Sequence, residues 1–236
     1  MKNLFSLLFI VLIGHFAAFS QDLVTQNRSV SNFNEIRVGS GIDLYLKQGN
    51  TESLELTAPS DKIGKIITQV RNGVLEIRVE SSNWNWGWGG WNNKTSPKVK
   101  LTFKDINALK AGGGSDVYSE GRLLFDKIKI DASGGSDVKL DFTAEMVDCD
   151  ASGGSDAVLT GSSKYFTGNA SGGSDLKAKD FRTQSCRINS SGGSDAYVWV
   201  ENELLANASG GSDIYYYGSP KSVKVHKSGG SDINRR

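Results

Sequence analysis

The chain is short of the residues from which most enzyme sites are built. It has two histidines in 236 residues, and only His226 lies beyond the first twenty. A histidine-rich zinc centre or an ordinary Ser-His triad therefore has almost no raw material. Cysteine is as scarce, with Cys149 and Cys186 alone. There are only three prolines beside 28 glycines, and 38% of residues are hydrophobic, a balance that suits one all-β domain and not a disordered chain. Excess charge is also missing. Without the first twenty residues, whose only charge is Lys2, 26 basic residues face 26 acidic ones, so nothing favours nucleic acid or an anionic membrane. Beyond those residues no apolar run approaches the roughly 20 needed to span a bilayer, so no transmembrane segment is expected after signal removal.

Residues 1–20 read as a secretory signal: Lys2, the apolar run Leu4 to Ile13, then Ala18-Phe19-Ser20 with small residues where a signal peptidase reads. The mature chain is expected to begin at Gln21, to cross the inner membrane and to reside in the periplasm or at the cell surface. No cysteine follows the signal, which argues against a bacterial lipoprotein anchor.

What the chain has in abundance is a repeat. Ser-Gly-Gly-Ser-Asp, in its first copy Gly-Gly-Gly-Ser-Asp, places aspartates at Asp116, Asp137, Asp156, Asp175, Asp195, Asp213 and Asp232, with steps of 21, 19, 19, 20, 18 and 19 residues. Apolar or small side chains stand nine, seven and five residues before the aspartates from Asp137 to Asp213, as Ile128, Ile130 and Ala132 or Val147, Cys149 and Ala151. They resume one and three residues after them, as Val138 and Leu140 or Ile214 and Tyr216. All these offsets are odd, so the period is two and the segments are strands with one buried face. The paired glycines mark the bend between them.

A strand pair of about 19 residues cannot bury its apolar face alone, so the units must stack. The fold class is all-β, a right-handed parallel β-helix or solenoid with coils of about 19 residues, the hand following from the rule for parallel crossovers. Seven coils at about 4.8 Å make a column near 30 Å long. The aspartates, and the serines four residues before them from Ser133 to Ser228, have even offsets and should form two outward ladders. Cys149 and Cys186 fall two coils apart, on the order of 9.6 Å, beyond the ~7 Å that a disulfide bridges, so both read as free buried thiols.

Residues 21–32 read as a polar lead and 33–236 as a single solenoid domain, with regular coils over 105–236. Phe33 to Leu46 repeats the strand, glycine corner, aspartate and strand in degenerate form. Asn72-Gly73, between alternating runs, is a tight-turn signal, and this irregular part is expected to form wider coils or a hairpin that caps the column's open end, where a bare coil would leave a sheet edge. Residues 81–96 form an insertion loop holding Trp84, Trp86, Trp88 and Trp91, four of the five tryptophans. The chain stops four residues past Asp232 without the strands of a membrane barrel, so export by other machinery is expected.

Phe33-Asn-Glu-Ile36 leading to Gly39-Ser40-Gly41-Ile42-Asp43, Asn72-Gly73-Val74-Leu75 and the repeated Gly-Ser-Asp corners together resemble the auto-transporter adhesin head (GIN) domain family of secreted bacterial proteins. The resemblance covers roughly Asn32 to Asp232. It implies a β-helical envelope or surface protein of Gram-negative bacteria and supplies no catalytic residue.

Two features are candidates for function. Carboxylates about 5 Å apart repel by roughly 1 kcal/mol per pair at water's dielectric constant. The aspartate ladder is read as structural, each carboxylate or its neighbouring serine bonding the corner backbone, with calcium as the alternative occupant. Trp84, Trp86 and Trp88 are two apart, so an extended backbone shows three indoles on one face, which suits sugar rings or a partner's apolar patch; the other reading folds the rings back as a cap. Seven equivalent corners offer no way to make one acid unlike its neighbour, so no enzyme is expected. The expected function is a non-enzymatic adhesin or binding module whose partner is a glycan or a surface protein; a polysaccharide-acting β-helix enzyme and a purely structural envelope component are the alternatives.

Overall fold

The computed structural model describes residues 22–80 and 96–236; the expected export signal, residues 1–20, and the tryptophans of the segment 81–95 lie outside these described residues. The N-terminal part contributes β1 (Leu23–Arg28), β2 (Glu35–Val38), β3 (Asp43–Gln48), β4 (Ser53–Pro59), β5 (Ile66–Arg71), β6 (Val74–Val79) and β7 (Lys98–Phe103). The repeats contribute β8 (Ala108–Ala111), β9 (Val117–Ser119), β10 (Leu123–Ser133), β11 (Asp137–Ser152), β12 (Asp156–Ser171), β13 (Asp175–Gly192), β14 (Asp195–Gly210), β15 (Asp213–Gly218), β16 (Ser222–Gly229) and β17 (Asp232–Arg235). All the stacking pairs from β8 onward are parallel and step by one repeat, so the chain is a β-solenoid of about seven turns.

Parity decides the core. Leu44, Val117, Val138, Ala157, Leu176, Ala196 and Ile214 are all fully buried and follow one another up the axis. Across from them, Ile130, Cys149, Gly168, Ile188 and Ala206 make a second inner column. Gly168 is where the column would be overfull: a Cβ there would lie 2.7 Å from Ile188 Cδ1 and 3.0 Å from Leu176 Cδ1. Cys149 rests on Gly168 and Cys186 on Phe166, in different columns, and both thiols are free and buried. Burial pushes both well above the usual thiol range, so they behave as small apolar residues.

A third inner column is aromatic. Phe103, Phe125, Phe142 and Phe181 follow each other with ring centroids 6.3, 5.7 and 4.8 Å apart. The last pair is two coils apart and touches because Gly161 stands between them in register. Its φ is +115°, and a Cβ would sit 1.9 Å from the Phe142 carbonyl oxygen.

Spatial order departs from chain order at the N-terminal end. β2 and β3 pair with β8 and β9 on one side and with β6 and β7 on the other. The chain therefore starts in the second layer, runs outward to build the end coil, and returns to the far side of its own first coil. The end is closed by antiparallel strands: β5 on β6, turned through Asn72 (φ 50°) and Gly73 (φ 79°), and β1–β4–β7. Within the polar lead, Leu23–Arg28 thus form the strand β1. Alternation is weak there because the strand is held by a side chain: the Arg28 guanidinium donates to the Ile63 carbonyl at 2.8 Å, to the Ile66 carbonyl and to Thr68 Oγ1. At the other end β16 pairs with β14 alone, and its inward-pointing Val223 and Val225 stay exposed.

Gly161→Ala is expected to cost roughly 2–5 kcal/mol, since it adds both a clash with backbone and a left-handed φ. Gly154→Ala, with φ +76° but nothing within 4 Å of its Cβ, should cost only about 1–2 kcal/mol. Denaturant midpoints of the two variants check this; equal losses would contradict the packing.

Candidate functional site

Each coil reverses at Ser-Gly-Gly-Ser. The first glycine of the pair is left-handed in every regular corner, as at Gly134 (65°), Gly153 (66°), Gly172 (69°) and Gly192 (79°). The corners also stack closely, a Cβ on Gly153 lying 3.4 Å from Gly134 N. The serine after the glycines turns inward: Ser115, Ser136, Ser155, Ser174, Ser194 and Ser212 are fully buried. Their hydroxyls receive corner amides from the neighbouring coil. Ser174 Oγ accepts from Gly154 N and Ser155 N, both at 3.1 Å, and Ser194 Oγ from Gly173 N and Ser174 N, both at 3.2 Å. Others face carbonyls, as Ser212 Oγ does those of Ser190 and Ser209 at 2.9 Å. No buried side-chain polar atom among the described residues lacks a partner. The sequence reading passed over these serines, although their odd offset of one before the aspartate marked them as inward.

The aspartates form one outward column, in register from Asp137 through Asp156, Asp175, Asp195 and Asp213 to Asp232. Asp116 joins it below, its Oδ1 accepting Asp137 N at 3.3 Å. The same bond recurs from Asp175 N to Asp156, from Asp213 N to Asp195, and from Asp232 N to Asp213, at 3.0 to 3.3 Å. The other oxygen is met by the residue two places on. Tyr118, Tyr197 and Tyr215 donate their hydroxyls to Asp116, Asp195 and Asp213 at 3.2, 3.4 and 3.0 Å. Lys177 bridges Asp156 at 2.8 Å and Asp175 at 3.0 Å, and its bond to Asp156 holds its pKa well above the usual lysine range. Backbone, phenol and ammonium donors thus offset the repulsion along the column. Among the described residues no three His, Cys, Asp or Glu side chains converge as a metal site would require.

Outside the carboxylates lie stacked rings and cations. Tyr45 stacks on Tyr118 (5.4 Å) and Tyr197 on Tyr215 (5.1 Å), while the Arg236 guanidinium covers Tyr215 and that of Arg182 covers Trp199. The tyrosines are therefore cross-coil stacking partners.

The four insertion tryptophans lie outside the described residues, but their anchor points are described. β6 pairs with β2 and β7 with β3, the two strands that flank Gly39-Ser40-Gly41. Val79 N donates to Ser40 Oγ at 3.3 Å and Asp43 N to the Pro97 carbonyl at 2.9 Å, which fixes both ends at the corner line.

The family model described as "Putative auto-transporter adhesin, head GIN domain" matches residues 32–220. Three solved structures share the fold. A protein of Bacteroides fragilis titled a "putative adhesin" is 23% identical, with a TM-score of 0.84 over 92% of this chain and 98% of that one. One from Parabacteroides distasonis with the same description is 20% identical at 0.70, over 90% and 97%. One from Parabacteroides merdae is 18% identical at 0.69, over 91% and 96%. No curated protein matches the chain. No helix among the described residues is long and apolar enough to cross a membrane.

Burial, then the neighbouring Asp116 charge, pushes the Tyr118 phenol up to about 12. The neutral phenol donates to Asp116; ionised, it would face a carboxylate. A group whose folded pKa is raised gives stability that is whole below the unfolded value of about 10 and is lost as pH rises through the folded one. The melting temperature should therefore fall between about pH 10 and 12, and Tyr118→Phe should blunt the fall. An unchanged slope in that variant, read beside tyrosinate absorbance, would contradict the pairing.

Proposed function

The chain belongs to the auto-transporter adhesin, head GIN domain family, and from that premise we propose that it is a non-enzymatic adhesive module, exported by its N-terminal signal to the bacterial envelope or surface, whose contact element is the loop carrying Trp84, Trp86, Trp88 and Trp91. The observation that carries this reading is the anchoring of the described residues on either side of that segment: Val79 N donates to Ser40 Oγ, Asp43 N donates to the Pro97 carbonyl, and β6 and β7 pair with β2 and β3. Indoles with adjacent asparagines suit the apolar face and hydroxyls of a sugar ring, and glycan is the expected partner. The aspartate column serves the scaffold, since its oxygens already hold amides, phenols and Lys177.

A glycan array probed with residues 21–236, in calcium and in chelator, tests the proposal beside a variant with Trp84, Trp86, Trp88 and Trp91 changed to alanine. Binding should be lost in the variant, by tenfold or more, and should not depend on calcium. Undiminished binding by the variant would remove the loop from the account, and shortened glycan products would replace adhesion by catalysis.

A further inference from the structure

The face opposite the aspartate column, formed by the outward residues of the strand before each corner, changes character along the axis. Six places before each aspartate, Asp131, Asp150, Asn169, Asn189, Asn207 and His226 stand in register. Eight places before it stand Lys129, Asp148, Thr167, Arg187, Leu205 and Lys224. In the first two of these coils the carboxylates are neutralised locally: Asp131, Asp148 and Asp150 surround the Lys129 ammonium at 3.7, 3.9 and 3.3 Å. From the third coil on aspartate gives way to asparagine, and the cations Arg187 and Lys224 have no ion pair among the described residues.

The asparagines are held in one orientation. Asn169 Nδ2 donates to Asp150 Oδ1 at 2.6 Å, and Asn189 and Asn207 each donate to the asparagine below at 2.7 Å. Each amide spends one N–H in the ladder, leaving a second N–H and a lone pair for hydroxyl groups. Beside this ladder an open cleft of about 370 Å³ is lined by Tyr165, Arg187, Leu205 and Lys224, and it adjoins a groove of about 320 Å³ over Asn189, Asn207 and His226. Tyr165 is 43% exposed, with the Lys164 ammonium 5.2 Å over its ring. Glu203 is the one carboxylate lining either hollow.

We infer that this half of the face binds an acidic polysaccharide with a carboxylate on every second sugar, laid along the column axis. Arg187, Leu205 and Lys224 are consecutive in register, so the two cations are two coils apart, roughly 9.6 Å. A pyranose in an extended glycan advances by about the rise of one coil, so alternate carboxylates reach Arg187 and Lys224 while the intervening ring lies over Leu205. Arg187 offers its planar fork to a carboxylate, and Lys224 a point charge. The oriented amides and the serines beside them, Ser191 and Ser209, meet the hydroxyls that an acidic peptide would lack. The site lies on the repeats and not on the tryptophan loop, so it goes beyond the function proposed above and stands or falls separately.

The test is binding of hyaluronan, whose carboxylates alternate, to the whole mature chain by calorimetry at low and at moderate salt, with neutral dextran and poly-glutamate in parallel. Hyaluronan should bind and dextran should not; added salt should weaken the complex; and Arg187→Gln with Lys224→Gln should weaken it at least tenfold at an unchanged melting temperature, since both side chains are exposed. The variant lacking the four tryptophans should bind hyaluronan as the parent does. No binding of hyaluronan, equal binding by the Arg187→Gln, Lys224→Gln variant, or poly-glutamate binding as tight as hyaluronan would each overturn the inference, whatever the tryptophan loop does.

Discussion

A chain that reverses direction once per coil must do so without leaving buried amides unpaired, and the other features of this column follow from how it meets that constraint. The answer is a serine hydroxyl set inside each corner, which at Ser174 takes the amides of Gly154 and Ser155 in the coil below and at Ser212 bonds the carbonyl of Ser190 in the coil below. Because that hydroxyl must lie over the corner beneath it, successive coils cannot slip by one residue without losing the bonds and turning the apolar face outward. The glycine supplies the left-handed turn and the close approach. The aspartate, one residue beyond the serine, is forced outside, where its carboxylate caps the first amide of the next coil's outward strand.

This places regularity and variation on different parts of the surface. The corner line and the aspartate face are self-satisfied, with carboxylates, phenols, Lys177 and stacked rings consuming one another's capacity. The opposite strand is constrained only at its inner positions, so its outer positions are free to drift from Asp131 and Asp150 to Asn169 and Asn189, and from Asp148 to Arg187. A long insertion is tolerated where it costs no stacking partner on one side. In chain order residues 81–95 fall between β6 and β7, the two strands of the end coil. Binding loops positioned by a rigid scaffold are a common arrangement.

Much of this could be read from residue parity and spacing. The inner columns, the outward aspartates, the Asn72-Gly73 hairpin and the distance between Cys149 and Cys186 all come from counting along the chain. What could not be counted was order in space. That β8 lies on β2 and not on β7 is set by which apolar faces match, and the return path through β4, β5 and β6 hides it. Nor does alternation disclose β1, an edge strand that pairs with β4, packs only Val24 on the core and is anchored by Arg28. The stack of Arg182 on Trp199 depends on a slip in the longest regular coil step after Asp137, the 20 residues from Asp175 to Asp195, which brings Arg182 opposite Trp199. The inward serines were visible by parity, yet serine is so common in turns that the repeat disguised their burial.

Amide hydrogen exchange, resolved by residue on residues 21–236, tests the corner most directly. The amides of Gly154, Ser155, Gly173 and Ser174 should exchange as slowly as those of mid-strand residues such as Leu159 and Leu176, and far more slowly than the exposed strand Ser222–Gly229. Corner amides that exchange as fast as that strand while the mid-strand amides stay protected would show that the buried serines do not hold the coils together, and the constraint from which this account proceeds would be wrong.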